Sequence, residues 1–400
     1  MNNRISSNMM YDQSVYLMMS RQSSINQLQR QLSTGQKLVT AKDDPVATGS
    51  AVGMDRVLAE LDQLGNNAAN VQNRLGLQEN ALTQAGDMLT RVTELTVQAN
   101  NPALSEEDRK SISAELATVR EALLSLANSK DGNGRYLFGG SNDGAPPFSS
   151  TSGNVVYTGD QTQRQVEISP GNFVQDALPG SEIFMRVRTG DGTIDGNAAP
   201  GNTGEGVLTN TSRDGSSNWD GKDYTLRFTA ADTYEVIDAD GAVVGNGTRA
   251  DGQDIVFRGL RVQLSGTPAA GDEFNVGQAG NRDVFSTIDR LVQALDMDMA
   301  TPADRTLQQN LLQSSLRDVA RASEKMIDAR AAGGAQLSAI DNAAALREAN
   351  SVTLKDSLSQ LRDLDYAEAI GQYKIENASL QAAQTVFTQM QSMSLFNMIR

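Results

Sequence analysis

Both ends of the chain carry long helical patterns with a narrow apolar face. From about Asp365 to Arg400 there is no proline, and apolar residues recur at steps of three and four, the spacing of one helix face. With Asn377 filling one gap, the positions on this face are Tyr366, Ile370, Tyr373, Leu380, Ala383, Phe387 and Met390. The apolar residues continue to the end of the sequence at Met393, Leu395, Phe396, Met398 and Ile399. The pattern predicts a long C-terminal helix whose apolar face requires a partner.

Residues 1–36 repeat this pattern at the other end of the chain. Four apolar residues lie seven positions apart and a fifth begins a second column, which is typical of a coiled coil. These residues are Tyr11, Met18, Ile25, Leu32 and, in the second column, Leu28. Because so polar a helix gains little by folding alone, we expect it to pair with the C-terminal helix or with neighbouring chains.

Further helices are predicted inside these two. A connector with glycines and an Asp-Asp-Pro sequence occupies residues 35–49, and a regular apolar repeat runs from about Thr48 to the Asn-Asn-Pro at 100–102. Ser105 and Asp108 resemble a capping box before a third helix. Nearer the C-terminus, a helical pattern begins at Val284, and Thr301 before a proline marks the start of another long helix.

The middle of the chain has a different pattern. The Asp131–Gly134 sequence predicts a turn, and Arg135–Phe138 predicts a short strand that completes a hairpin. From 141 to 281 short β-type runs alternate with glycine turns, and this window contains 19 acidic and 9 basic residues. Within it, Tyr224–Thr229 and Thr233–Ile237 predict a β-hairpin.

Together these patterns predict a mainly α fold with an inserted β domain, in an elongated arrangement with long antiparallel or coiled-coil helices from both termini. The predicted domains are an N-terminal coiled-coil helix with its connector, the first part of a helical bundle ending in a β-hairpin, an acidic β domain, the second part of the bundle, and a connector with the C-terminal coiled-coil helix. Their limits are 1–48, 49–140, 141–281, 282–350 and 351–400.

Composition narrows the possible functions. The formal charge of −15 argues against nucleic acid or an anionic membrane as a partner, since both attract cations. Cysteine and histidine are absent, which removes thiolate nucleophiles, imidazole bases and the commonest zinc ligands. The N-terminal sequence has no apolar core typical of a secretory signal, and no apolar run is long enough for a transmembrane helix.

Enzymatic chemistry has little support in the remaining residue types. The carboxylates of the middle region lie mostly in Asp-Gly turns, where aspartate is favoured for its backbone hydrogen bonds. The segments Asp191–Asn197 and Asp238–Gly241 resemble calcium loops, but neither has the complete spacing or the terminal glutamate. We therefore expect a non-enzymatic protein with no catalytic residues, no metal site and no cofactor.

Several segments resemble the bacterial flagellin family and its junction proteins. Leu32–Ala51 is similar to the family signature that follows the first helix, and the resemblance extends through Asn133–Gly140 and through the C-terminal segment from Leu361. Asp43-Asp44-Pro45-Val46 favours the junction-protein branch, since flagellins usually continue Asp-Asp with Ala-Ala-Gly, and Tyr136–Gly140 and the Ser-Leu-Phe ending favour it as well. The resemblance covers both terminal thirds and not the middle domain.

This resemblance implies a structural subunit at the junction of hook and filament, working as an adaptor between two helical polymers. It implies contacts with hook-associated protein 1, with flagellin filament subunits and with copies of the chain in a ring. It also implies an export chaperone and export through the flagellar type III apparatus to the extracellular flagellum. Two other functions stay open at this point: a filament flagellin, and a secreted adhesin or enzyme with helical stalks.

Overall fold

Six α-helices dominate the computed structural model, which describes residues 7–151, 153–215 and 219–398, without the side chains of 7–8 and 391–398. The helices are α1 (Ser7–Thr34), α2 (Pro45–Ala99), α3 (Glu106–Ala127), α4 (Val284–Asp296), α5 (Pro302–Arg362) and α6 (Tyr366–Met398). The chain divides into a terminal unit, residues 1–66 with 343–400, and an inner unit, residues 67–342. The division falls within α2 and α5. The predicted class, mainly α with an inserted β region, is confirmed.

In the terminal unit, a short connector of residues 35–44 joins α1 to α2. Gly35 ends α1 with φ of 71°, the left-handed conformation that favours glycine after a helix. Its carbonyl accepts a hydrogen bond from the Leu364 amide at 3.0 Å. Asp44 accepts hydrogen bonds from the Val46 and Ala47 amides at 3.0 and 2.9 Å and so caps α2. Because this cap precedes a proline, α2 begins at Pro45, three residues earlier than the apolar repeat predicts.

The inner unit contains a helical core built from α3, α4 and parts of α2 and α5. At its centre the Phe184 ring lies 5.3 Å from Phe138, 5.6 Å from Phe148 and 6.1 Å from Phe285 between ring centroids. Phe184 belongs to a π-helical turn, Ser181–Met185. The predicted capping box before α3 is confirmed, since Ser105 and Asp108 exchange side-chain-to-backbone hydrogen bonds.

The predicted strand at Arg135–Phe138 is wrong. Only an isolated bridge between Lys130 and Tyr136 occurs there, and Leu137 and Phe138 are both fully buried in the helical core. A strand would place these neighbours on opposite faces. Because both adjacent side chains are buried in one core, this segment lacks the alternation of a strand and forms no hairpin.

Fourteen strands fill the middle of the described chain. They are β1 (Phe148–Thr151), β2 (Asn154–Tyr157), β3 (Gln165–Ser169), β4 (Asn172–Gln175), β5 (Val187–Arg188), β6 (Ile194–Ala198), β7 (Val207–Arg213), β8 (Tyr224–Ala230), β9 (Thr233–Asp238), β10 (Val243–Thr248), β11 (Ile255–Phe257), β12 (Leu260–Ser265), β13 (Glu273–Gln278) and β14 (Asn281–Arg282). A five-stranded sheet of order β10-β9-β8-β13-β6 and a three-stranded sheet of order β11-β12-β7 surround a second core. The predicted hairpin of β8 and β9 is present, with each strand one residue longer than expected.

Polar side chains of α5 bind the strands of the second core. Asn310 donates to the Gly206 carbonyl at 3.0 Å and accepts from the Leu208 amide at 2.8 Å. Arg317 donates to the Gly196 carbonyl at 2.9 Å, and Asp318 accepts from the Gly190 amide at 3.0 Å. Burial lowers the pKa of Arg317 and raises that of Asp318, because desolvation disfavours both charged forms.

Candidate assembly interface

In the terminal unit, α1 and α6 pack along each other through one apolar face each. Ile25 and Leu28 are buried on α1, and Ala369 and Leu380 are buried on α6. Ile25 and Leu28 are three positions apart, and Ala369 and Leu380 are eleven positions apart, about three turns, so each pair lies on one side of its helix. The two ends of the chain therefore form a helix pair in which each helix covers part of the other.

Polar and aromatic contacts set the alignment of α1 against α6. Arg21 forms an ion pair with Glu376 at 2.7 Å, and this hydrogen bond and charge raise the pKa of Arg21. Gln29 donates to the Tyr373 hydroxyl at 3.2 Å. These contacts connect residues at a fixed stagger along two antiparallel helices.

The predicted interaction residues occupy three kinds of environment. Ile25, Leu28 and Leu380 are buried. Tyr11 is exposed at 47 %, although its ring packs on Phe387 with centroids 5.1 Å apart. A second group is half-buried: Met18, Leu32, Tyr373, Phe387 and Met390.

Two predicted residues of α6, Tyr366 and Ile370, are exposed in the single chain. Ala369 takes the buried position next to Ile370, so the face that contacts α1 is displaced by one residue there. The side chains of Met393, Leu395 and Phe396, and the whole of Ile399, lie outside the described residues.

Sequence reasoning missed a second apolar face on each terminal helix. On α1, Met9, Tyr16 and Met19 lie roughly opposite the α6-facing residues at about 100° per residue, and Tyr16 is 79 % exposed. On α6, Ile375 is 66 % exposed and Val386 is 55 % exposed, about a third of a turn from the α1-facing residues. The signal for these faces in the sequence is the helical angle of each apolar residue outside the main repeat, because residues with similar angles lie on one side of the helix.

The residues between Ile375 and Val386 on this second face of α6 are small. Ala378 and Ala382 are both exposed, and they lie three and seven positions after Ile375, on the same side of the helix. Small side chains allow another helix to approach closely. We call these positions the outer faces: Met9, Tyr16 and Met19 on α1, and Ile375, Ala378, Ala382 and Val386 on α6.

Metal binding and membrane insertion have no support in the part of the chain that the structure describes. There, no three acidic side chains are grouped so that they could hold a metal ion. No described helix is long and apolar enough to cross a membrane. The outer faces are the main candidate for function because they expose apolar side chains on helices that already have a partner.

Two protein-family models match separate parts of the chain. Residues 5–143 match the bacterial flagellin N-terminal helical region. Residues 197–278 match the D2-like domain of flagellar hook-associated protein 1. One family model thus covers α1 to α3, and another covers the strands of the second core.

Relatives of known identity match the chain to different extents. Flagellar hook-associated protein 3 of Salmonella typhimurium is 27 % identical over 397 residues, covering 99 % of this chain and 100 % of the relative. Flagellin FlaB1 of Treponema pallidum is 34 % identical, but over only 41 % of this chain and 61 % of the flagellin. The flagellin resemblance is thus partial, whereas that to hook-associated protein 3 is complete.

Solved structures decide between these relatives. The crystal structure of Xanthomonas campestris FlgL is 59 % identical with a TM-score of 0.73, covering 76 % of this chain and 99 % of that one. Hook-associated protein 3 of Legionella pneumophila is 27 % identical with a TM-score of 0.73, covering 77 % of this chain and 98 % of that one. The chain therefore belongs to the FlgL family, the structural proteins of the flagellar hook–filament junction.

Proposed function

We propose that this junction protein connects its two neighbouring polymers through the outer faces of α1 and α6. The helix pair satisfies one apolar face of each helix and leaves the other open to solvent. Exposed apolar surface of this kind is typical of sites that bind other proteins. The observation that carries the proposal is the strong exposure of Tyr16 and Ile375 on helices that already have a partner.

The charge of the terminal unit supports the same assignment. Residues 1–66 and 343–400 contain 11 basic and 12 acidic residues, whereas residues 67–342 contain 23 basic and 37 acidic residues. A nearly neutral surface can approach copies of itself without the repulsion that a strongly acidic one meets. The terminal unit is thus the part of the chain best suited to close packing with other subunits.

The partners we assign are hook-associated protein 1 on one side, flagellin subunits of the filament on the other, and copies of the chain in a ring. Family membership places the protein in the bacterial flagellum. The match of residues 197–278 to a domain of hook-associated protein 1 supports a common architecture for the two neighbours. The relatives are structural flagellar proteins, and we propose no enzymatic role for this chain.

Export through the flagellar type III apparatus to the extracellular flagellum completes the proposal, together with an export chaperone that holds the C-terminal region. The exposed apolar residues of α6 support a chaperone, because such a surface requires cover before assembly. Co-purification of the full chain with its export chaperone from cells that lack a flagellar channel tests this step. Substitution of Ile375 by Asp should weaken the complex if the chaperone binds the outer face.

The main experiment compares two valines of equal exposure. Val386 on α6 is 55 % exposed and Val243 on β10 is 54 % exposed. Val386→Asp should prevent incorporation into the junction, because a charge in a closely packed helix interface is left unpaired. Val243→Asp, the matched control, should assemble as the unmodified chain does. Incorporation is measured by electron microscopy of labelled hook tips and by motility of a strain that carries only the variant.

Thermal unfolding of both variants separates assembly from stability. Substitutions at exposed sites usually change the free energy of unfolding by less than about 0.5 kcal/mol, so both melting temperatures should stay close to that of the unmodified chain. Normal motility with Val386→Asp and Ile375→Asp would contradict the proposal. Equal loss of assembly with Val243→Asp would mean that the assembly surface is not restricted to the terminal helices.

A further inference from the structure

A cleft in the inner unit lies where the turn between α2 and α3 meets the turn between α4 and α5. Its volume is about 410 Å³, and its lining includes Asn100, Leu104, Arg109, Arg305, Gln309 and Leu312. No Asp or Glu is among the described residues that line it. The cleft therefore combines two guanidinium groups, neutral amides and an apolar wall.

Neither arginine of this cleft has a carboxylate partner within 4.0 Å among residues 7–151, 153–215 and 219–398. Arg109 donates to the Leu104 carbonyl at 3.3 Å, and its Nε is shielded from solvent without an acceptor in the described chain. Arg305 is exposed. Both cations are available to an incoming anion.

The nearby acidic side chains are engaged elsewhere. Asp108 accepts from the Ser105 hydroxyl at 2.7 Å, and Asp304 accepts from the Thr301 hydroxyl at 2.7 Å. Glu106 pairs with Lys110 at 2.5 Å. These carboxylates thus bind the cap residues or Lys110, and none of them forms an ion pair with Arg109 or Arg305.

The chemistry of the cleft selects a carboxylate. Arginine presents a planar set of donors that matches a carboxylate in two-point hydrogen bonding, and the amide of Gln309 adds a further donor. Such a site is unexpected in a unit that contains 37 acidic and 23 basic residues. Where most of the surface repels anions, a small cationic cleft discriminates strongly between orientations of an acidic partner.

We propose that this cleft binds an aspartate-bearing turn from the β region of a second copy of the chain. Residues 141–281 contain 19 acidic and 9 basic residues, and the turn after β9 carries the exposed Asp240. Its neighbour Asp238 holds the turn by accepting from the Asp240 and Ala242 amides at 3.0 and 2.8 Å. This inference rests on the proposed self-association of the chain in a ring, and it names one contact between neighbouring copies.

The geometry of such a contact suits a ring. A cleft on one copy that binds a different surface on the next copy makes a heterologous interface, which closes into a ring when the rotation between copies permits. The outer faces of α1 and α6 supply close packing, whereas this charged contact fixes the orientation of neighbouring inner units.

Peptide binding tests the cleft without requiring assembly. The full chain is titrated by calorimetry at low salt with acetyl-Asp-Ala-Asp-Gly-amide, the sequence of residues 238–241, and with its Asn-Ala-Asn-Gly counterpart. The acidic peptide should bind saturably and at least roughly tenfold more tightly, since hydrogen bonds to charged groups are the stronger ones. Equal binding of the two peptides would overturn the assignment of a carboxylate.

Three variants identify the arginines. Arg305→Ala and the double variant with Arg109→Ala should weaken peptide binding by roughly tenfold or more. Arg186→Ala is the matched control, because Arg186 is exposed and pairs with Glu182 at 2.7 Å; it should bind the peptide normally. Arg305 is exposed and forms no ion pair within the described residues, so we expect the Arg305→Ala variant to remain folded. Unchanged binding by Arg305→Ala and by the double variant would overturn the proposal.

Assembly then tests the second copy as the source of the carboxylate. Arg109→Glu with Arg305→Glu should reduce self-association of the full chain, measured by sedimentation, while Val386→Asp disrupts it through the outer faces. Peptide binding that depends on both arginines, combined with normal self-association of the Glu variant, would overturn the second-copy assignment and leave the proposed function standing. If the unmodified chain binds the peptide but does not self-associate, the second-copy assignment and the proposed ring both fail.

Discussion

The terminal unit and the inner unit bury their apolar residues in different ways. In the inner unit, Phe138, Phe184 and Phe274 are fully buried in two cores that need no other chain. In the terminal unit, α1 and α6 bury one face and expose Tyr16 and Ile375 on the other. The inner unit is therefore stabilised by its own packing, whereas the terminal helices leave apolar side chains exposed in the single chain, and we propose that other subunits cover them.

Charge follows the same division. Most of the excess acidic residues belong to the inner unit, and the terminal unit is nearly neutral. Self-repulsion between inner units limits uncontrolled contacts, while the terminal unit is free to pack closely. We propose that this separation of charge directs assembly contacts to the terminal unit.

Substitution in the helical core should give the largest change in stability. Phe184→Ala removes a fully buried ring that contacts three other phenylalanines, so we expect a loss of about 3–5 kcal/mol in the free energy of unfolding. Phe173→Ala is the control, because Phe173 is 56 % exposed and its loss should cost less than about 0.5 kcal/mol. Urea unfolding of the free chain measures both. Similar costs at the two sites would contradict the buried core described for the inner unit.

Substitution in the terminal helix pair should have a smaller effect. Leu380→Ala removes a buried side chain from a helix that is covered on one face, and we expect about 2 kcal/mol, the lower end for such a change. Ile375→Ala, on the outer face of the same helix, should be nearly neutral in the free chain. Hydrogen exchange of the α6 amides reports the local stability of the pair. Greater loss of protection with Ile375→Ala than with Leu380→Ala would reverse our assignment of the two faces.

Much of the fold follows from local pattern. Apolar residues at steps of three, four and seven predict the long helices, and the capping residues Ser105 and Thr301 predict the starts of α3 and α5. The end of α5 is not predicted, because residues 351–362, assigned to a connector, continue this helix to Arg362. The β8–β9 hairpin follows from the alternation of its residues. These features depend on near neighbours in the sequence, so one sequence is sufficient to find them.

Features that depend on distant packing do not follow in this way. The change of composition at about residue 141 marks the start of the strands, yet Phe148, Val155 and Val187 pack into the helical core. Leu137 and Phe138 also enter that core and leave no strand. The cleft with Arg109 and Arg305 forms because two turns, far apart in the sequence, meet in space. No local spacing indicates that meeting.

The candidate interface was predicted in part. On α1, Ile25 of the main heptad column and Leu28 of the second column are buried towards α6, but the outer faces have fewer apolar members and a weaker repeat. Ile375 stands between Lys374 and Glu376, whereas Tyr16 lies within the apolar run of residues 15–19. In both cases only the helix geometry shows to which face the residue belongs. Their role in assembly stays a prediction until the variants of Val386 and Ile375 are measured.

The smallest effect we predict concerns two aspartates, one in each unit, and their response to pH. Hydrogen bonds from Thr301 lower the pKa of Asp304 below its ordinary value of 3.8, and the Thr40 amide lowers that of Asp43 in the same direction. A carboxyl with a lowered pKa in the folded state stabilises the fold above its unfolded pKa, and this contribution disappears as the pH falls through the folded pKa. Asp304→Asn and Asp43→Asn should therefore each be less stable than the unmodified chain at neutral pH, and each difference should shrink below pH 3.8.

The two aspartates also test whether the two units open separately. Asp304 caps α5 inside the inner unit, whereas Asp43 holds the connector of the terminal unit. If the terminal unit opens separately in the free chain, Asp43→Asn should increase hydrogen exchange in α1 and α6 and leave the amides of the inner cores unchanged, and Asp304→Asn should do the reverse. Because local openings report only the contacts that they break, equal changes in both units would mean that the free chain unfolds as a single cooperative structure. In that case the stability of the terminal helices would depend on the inner unit. Their exposed apolar faces would then be explained by partner binding alone.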